Sequence, residues 1–206
     1  MLNPIFVFDL HGVLFKPDYQ EIAHILRCTP KKYNLFMSVL SPQFWSSFLP
    51  LAKKGAVPEE LIMKIGNRVP RLHSYIETGI QLSNAQKPQE KTIDIVQKLK
   101  KRGFKQYIFS NIGERIFADL YQKYPKIIDL FDGVVYTHAA DDYLKKPHPK
   151  AFEKYAQTCG HALNDIIFID NKRKNIRAAV KLGIKSILFK NSEQLYQDLK
   201  KKNFLD

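Results

Sequence analysis

The sequence predicts an α/β fold: a doubly wound, Rossmann-like parallel sheet with a small all-helical cap domain. Three observations carry that expectation. The run Ile5-Phe6-Val7-Phe8 is continuously apolar, too short for a helix, and stops on Asp9 and a turn at Gly12; such runs are strands buried on both faces of a parallel sheet. From about residue 86 onward, strand-like and amphipathic stretches alternate, the rhythm of βαβ units. Between these two parts, residues 16–85 carry helical signals and no convincing strand.

In chain order, strands are predicted at 5–8, 106–109, 133–136, 166–169 and 186–189. Helices are predicted between the later strands, over 92–101, 115–123, 150–158 and 175–182. Gly103 and Gly183 fall just past two of these helices, where a left-handed C-terminal residue ends the element. In the intervening block, helices are predicted over 18–27, 31–40, 42–53 and 58–68, each beside a proline or another capping residue. The resulting division is a core of 1–15 and 86–206, interrupted after its first strand by a helical domain of 16–85. An insertion there overhangs the carboxyl ends of the strands, where parallel sheets bind ligands.

Bulk properties set the outer limits. A chain of 206 residues can bury one full core with a small inserted domain. Its 45% hydrophobic and 26% charged residues are ordinary for a globular protein. No apolar run reaches spanning length, and the first one contains Asp9, so it is read as a core strand rather than a leader. A cytoplasmic location follows as the default expectation, with no membrane partner and a monomer or homodimer as the assembly. Cys28 and Cys159 form no CxxC pair, which argues against a disulfide framework or a zinc site. The net charge of +13 is unusual. Its lysines and arginines are scattered, largely at helix ends, where cations favour the dipole. A solvated basic surface that steers anionic substrates is therefore favoured over a nucleic-acid site.

Four segments end or follow a predicted strand with polar residues: Asp9 and Gly12, Ser110-Asn111, Lys146-Pro147-His148-Pro149, and Asp170-Asn171. Each alone is an ordinary turn. Strands of one parallel sheet end on the same side, so together these residues converge.

In this order and with these identities, the segments resemble the motifs of the haloacid dehalogenase-like hydrolase superfamily, most of whose members are phosphatases. Asp9-Leu10-His11-Gly12 is similar to its first motif, Asp-x-Asp-Gly. Ser110 is similar to its second, Lys146 in Lys-Pro-x-Pro to its third, and Phe168-Ile169-Asp170-Asn171 to its fourth. Asn175-Ile176-Arg177-Ala178-Ala179 through Leu182-Gly183-Ile184 also has the family's texture. The resemblance covers the whole core, and 16–85 is similar to a cap inserted after the first motif.

The resemblance implies a Mg²⁺-dependent phosphomonoesterase acting on a small phosphorylated metabolite. Asp9 is the candidate nucleophile, forming an aspartyl-phosphate that splits one difficult displacement into two easier ones. Mg²⁺ prefers an octahedral oxygen shell, which Asp9, the His11 carbonyl, Asp170 and Asn171 supply. Lys146 is the point charge that holds Asp9 and the phosphoryl oxygens together. Ser110 donates its hydroxyl to phosphate, aided by the N–H groups of Asn111 and Ile112 at the start of the next helix. His148, beside the lysine motif, reads as a surface-loop residue.

His11 departs from the pattern, standing where the family's phosphatases carry a second Asp that protonates the leaving group. Beside Mg²⁺ and Lys146, a histidine's cationic form is disfavoured. A neutral imidazole can take a proton from water but donates poorly to a departing alkoxide, so substrates with good leaving groups are expected. Two rival functions stand beside this one: a metal-independent haloacid dehalogenase-type hydrolase, against which Asp170 argues, and a catalytically impaired binding protein. The aromatic residues Tyr19, Phe36, Phe44, Trp45 and Phe48 have the spacing of a cap core and could alternatively line the pocket.

Overall fold

The computed structural model describes residues 4–29, 37, 40–53, 58–138, 140, 142 and 144–206. Its centre is a five-stranded parallel sheet formed by β1 (Ile5–Phe8), β4 (Gln106–Gly113), β5 (Gly133–Thr137), β6 (Ile166–Asp170) and β7 (Lys185–Leu188), in the order β5-β4-β1-β6-β7. β1 is the middle strand and is buried throughout. Its side chains divide by the two-residue period of a strand. Phe6 and Phe8 enter one hydrophobic core, and Ile5 and Val7 enter another on the opposite face.

The first face is covered by α5 (Glu90–Lys101), α6 (Glu114–Lys123) and α10 (Ser192–Lys201), which contribute Ile93, Leu99, Ile116, Leu120, Leu195 and Leu199. The short helix α7 (Pro125–Ile128) closes that side with Ile128. The second face is covered by α8 (Pro149–Cys159) and α9 (Arg173–Lys181), through Phe152, Tyr155 and Ala179. Helices on both faces of a parallel sheet are what its two apolar surfaces require. Gly103 and Gly183 take φ of +81° and +80° where their helices end, as expected of those positions.

Between β1 and β4 the chain builds α1 (Tyr19–Cys28), α2 (Pro42–Lys53), α3 (Pro58–Arg68), a 3₁₀ turn at Pro70–Tyr75 and α4 (Ile76–Asn84). Asp18 caps α1 by accepting from the N–H groups of Gln20 and Glu21. The predicted helix at 31–40 and its Phe36 lie almost wholly outside the described residues. Ile62 and Met63 of α3 and Ile76 and Ile80 of α4 rest on the first core, while Ile65, Val69, Leu72 and Tyr75 form a small core of their own with Phe44, Phe48 and Leu61.

The expectation that 16–85 contains no strand is corrected. β2 (Phe15–Pro17) pairs antiparallel with β3 (Gln86–Pro88), so the chain's entry into and exit from the helical block lie side by side. Three-residue strands ending in proline have too little pattern to be read, and proline is tolerated there because the ribbon has free edges. Phe15, fully buried, anchors the ribbon against the Tyr124 ring.

Candidate active site

Register brings the site together. Phe8 of β1 lies opposite Ile108 of β4 and Ile169 of β6, so the next residue, Asp9, stands beside Phe109 on one flank and Asp170 on the other. The Asp9 N–H donates to the Ile169 carbonyl at 2.8 Å, extending the ladder by one step. Neighbouring strands are about 4.8 Å apart, and the two carboxylates lie within reach of one ammonium. Lys146 Nζ donates to Asp9 Oδ1 at 2.9 Å, to Asp170 Oδ2 at 3.0 Å and to the Phe109 carbonyl. All three side chains are buried. The ammonium also lies 4.8 Å from the Phe109 ring and 5.1 Å from the Phe168 ring, both of which favour a cation.

Asp170 is held from further directions. Its Oδ1 accepts from the Lys172 N–H at 2.7 Å, and its Oδ2 also accepts from the Asn175 amide at 2.8 Å. Asn175 was not singled out for a role in the sequence. Its signal was an asparagine in the first turn of an otherwise strongly charged helix, where it is buried.

The Asn111 side chain has a contact beyond the role expected of its N–H. Its amide nitrogen donates to the Lys146 carbonyl at 2.8 Å, and its amide oxygen accepts from the Lys146 N–H at 2.9 Å. The side chain thus clasps the backbone of the lysine. The helix start predicted after Ser110 is also corrected: β4 continues to Gly113, with a register irregularity between Phe109 and Gly113, and α6 begins at Glu114. Ser110 is buried, and its Oγ accepts from the Ile112 N–H at 3.4 Å. The first free amides of α6, those of Arg115 and Ile116, donate to the Glu59 carboxylate of α3 at 3.1 and 3.3 Å. Gly113 permits this approach, because a Cβ there would sit 2.2 Å from a Glu59 oxygen.

Asn171 packs over Gly12. The glycine has φ +87°, and a Cβ on it would lie 2.1 Å from the Asn171 amide nitrogen. Both the backbone hand and the space therefore demand glycine. His11 starts this tight turn, in which the Gly12 N–H donates to the Phe15 carbonyl at 2.7 Å. Its Nε2 is buried with no partner among the described residues. Burial, aided by the positive charge of Lys172, pushes its pKa down to about 4, so the imidazole is neutral near pH 7. His148 caps α8 by accepting from the Lys150 N–H at 3.2 Å.

The donor chemistry suits a hard cation: two carboxylates brought to one point, with the His11 carbonyl and the Asn171 amide oxygen in the adjoining turns. Carboxylate and carbonyl oxygens are the ligands Mg²⁺ takes.

A family model described as haloacid dehalogenase-like hydrolase matches residues 6–189. The chain belongs to that family. Two curated relatives add detail. The haloacid dehalogenase-like chain is 26% identical over 156 residues to "Phosphate metabolism protein 8" of Saccharomyces cerevisiae, a match covering 71% of this chain and 47% of that protein. It therefore spans about half the length of that relative. It is 24% identical over 180 residues to "Sesquiterpene phosphatase astK" of Aspergillus oryzae, covering 86% of this chain and 85% of that one.

Among solved structures, the L-2-haloacid dehalogenase of Xanthobacter autotrophicus superposes with a TM-score of 0.63 at 19% identity, over 97% of this chain and 83% of that one. A variant of a haloacid dehalogenase family enzyme from Bacteroides thetaiotaomicron, in complex with magnesium and inorganic phosphate, does so with 0.60 at 18%, over 91% and 94%. At these identities the likeness is one of fold.

Proposed function

We propose that this haloacid dehalogenase-like hydrolase is a Mg²⁺-dependent phosphomonoesterase for a small phosphorylated substrate, with residues 16–85 forming a cap over a core of 1–15 and 86–206. The observation that carries this reading is the buried ammonium of Lys146 joining Asp9 to Asp170 at the carboxyl ends of adjacent strands. A carboxylate with one oxygen held by a buried cation keeps the other, Oδ2, aimed for attack. The phosphatase names of one relative and the magnesium and phosphate bound to a structural neighbour support the same class.

In the proposed reaction, Asp9 Oδ2 attacks phosphorus, a phosphorus–oxygen bond to the leaving group breaks, and the phosphoryl group passes to Asp9. Water then attacks that phosphorus and returns Asp9 as a carboxylate. Lys146 stabilises Asp9 and the charge on the phosphoryl oxygens, Ser110 offers its hydroxyl to one of them, and neutral His11 accepts a proton from the attacking water. Asp9, the His11 carbonyl, Asp170 and Asn171 would hold Mg²⁺, which would supply the positive charge that lets an anion approach an anion. Asn111 holds the Lys146 backbone and so fixes the ammonium.

The test is turnover of a panel of phosphomonoesters with Mg²⁺ and with EDTA, run beside Asp9→Asn. Phosphate release that needs both Mg²⁺ and Asp9 is expected. Full activity in EDTA, or chloride release from haloacids without metal, overturns the reading in favour of dehalogenation.

A further inference from the structure

The helical block forms an open pocket of about 230 Å³ lined by aliphatic and aromatic side chains and two glycines. Phe44 and Phe48 of α2, Leu61 and Ile62 of α3, Leu72 and Ile76 form most of its wall. The two phenylalanine rings stack at 5.4 Å, and Trp45 sets its ring edge-on against both. An open apolar concavity of this size is the kind of surface at which ligands bind.

Its position says which. α3 begins at the mouth of the candidate active site. Glu59 sits on the amides that follow β4, and Glu60 lies 3.8 Å from Lys145, the neighbour of Lys146. The next residues of the same helix, Leu61 and Ile62, already line the cavity, only ~3–5 Å further along the axis. From Ser110 to Gly113, against which Glu59 packs, the chain runs on the order of 10 Å. One helix therefore leads from the phosphate-handling residues into an apolar chamber a short molecule's length away.

We infer that this cavity receives the hydrocarbon part of the substrate, so that the preferred phosphomonoester carries an alkyl or isoprenoid-like body rather than a sugar or a nucleoside. This deepens the phosphatase reading and rests on it. A sugar's hydroxyls would enter a chamber whose wall supplies next to no hydrogen-bond partners, leaving them desolvated and unpaired. Each methylene, by contrast, leaves water for an apolar wall. An apolar cavity of ~150 Å³ holds one benzene ring, and by that scale this one takes about eight to ten carbons.

The test is calorimetric binding of straight-chain alkylphosphonates, ethyl to decyl, in Mg²⁺ buffer; their carbon–phosphorus bond resists hydrolysis. The dissociation constant falls about fourfold per methylene and levels off at eight to ten carbons. A series with no dependence on chain length overturns the inference. Trp45 is the single tryptophan, so octylphosphonate shifts its emission and ethylphosphonate does not. Chain-length dependence with a silent Trp45 places the hydrocarbon elsewhere and also overturns it. Ile65→Phe, which fills the chamber, flattens the series while its thermal transition reports folding; should it not fold, the wild-type series and Trp45 still decide. Turnover of p-nitrophenyl phosphate tests the phosphatase reading separately. Turnover with a flat phosphonate series overturns only the hydrocarbon site, and no turnover with a steep series overturns only the phosphatase reading.

Discussion

Replacing Lys146 by methionine keeps much of the side chain's length and apolar body but removes the charge that three groups share. Nζ stands 2.9 Å from Asp9 Oδ1 and 3.0 Å from Asp170 Oδ2, so those oxygens are at most about 6 Å apart. Two unit charges ~5 Å apart at an effective dielectric near ~20 repel by about 3 kcal/mol once nothing stands between them. Removing one partner of a buried ion pair costs about 3–5 kcal/mol in comparable settings, and the two routes agree. Against a typical total of ~5–15 kcal/mol, Lys146→Met should remove a large share of the stability. Urea unfolding at pH 7 in EDTA, followed by circular dichroism, measures it. Mg²⁺ at about a hundred times its dissociation constant should then return ~2.7 kcal/mol, since a divalent cation at the same carboxylates replaces the lost charge. A loss under about 1 kcal/mol in EDTA would refute the picture of a buried ammonium holding two carboxylates. No stabilisation of either protein by Mg²⁺ would remove the metal from it.

Asn111→Ala deletes both hydrogen bonds to the Lys146 backbone, at a cost of about 1–3 kcal/mol in stability, and should lower kcat tenfold or more with a smaller change in KM; steady-state kinetics showing a rise in KM alone would return Asn111 to substrate binding. Because His11 is neutral near pH 7, rates on phosphomonoesters should fall steeply as the leaving group becomes more basic, and His11→Asp should raise the alkyl ester rates by ~10²–10⁴-fold. A flat dependence on leaving-group pKa in the wild type contradicts this role. Glu59→Gln replaces the charged acceptor of the Arg115 and Ile116 N–H groups with a neutral one, and hydrogen exchange at those two amides should quicken; unchanged exchange means the α3 contact does not hold them.

The core strands were legible because burial on both faces leaves little choice of residue. β1 has the predicted bounds, and β6 and β7 differ by a residue at their ends. α2 and α3 begin where Pro42 and Pro58 announce them and end where expected, since proline at a first helical position sacrifices no hydrogen bond. The polar run Ser110-Asn111 hid the continuation of β4, whose hydrogen bonds come from neighbours far along the chain. Asp9, Lys146 and Asp170 were readable as a converging set, because parallel strands end together. The roles of Asn175 and Glu59 were not, since each acts through a partner reached only after the helix carrying it has packed. Phe44 and Phe48 line an apolar pocket, while Tyr19 is largely exposed and Trp45 is partly so.

What the order of residues settled alone was which segments are buried strands, which are helices, and that acidic and basic side chains gather where the strands stop. Those are consequences of short-range pattern: periodicity, caps and turns. Which oxygen meets which nitrogen was left to packing. The clasp of Asn111 on Lys146, the desolvation that keeps His11 neutral and the apolar chamber beside α3 all depend on distances between residues tens of positions apart, and those distances exist only once the helices have closed over the sheet.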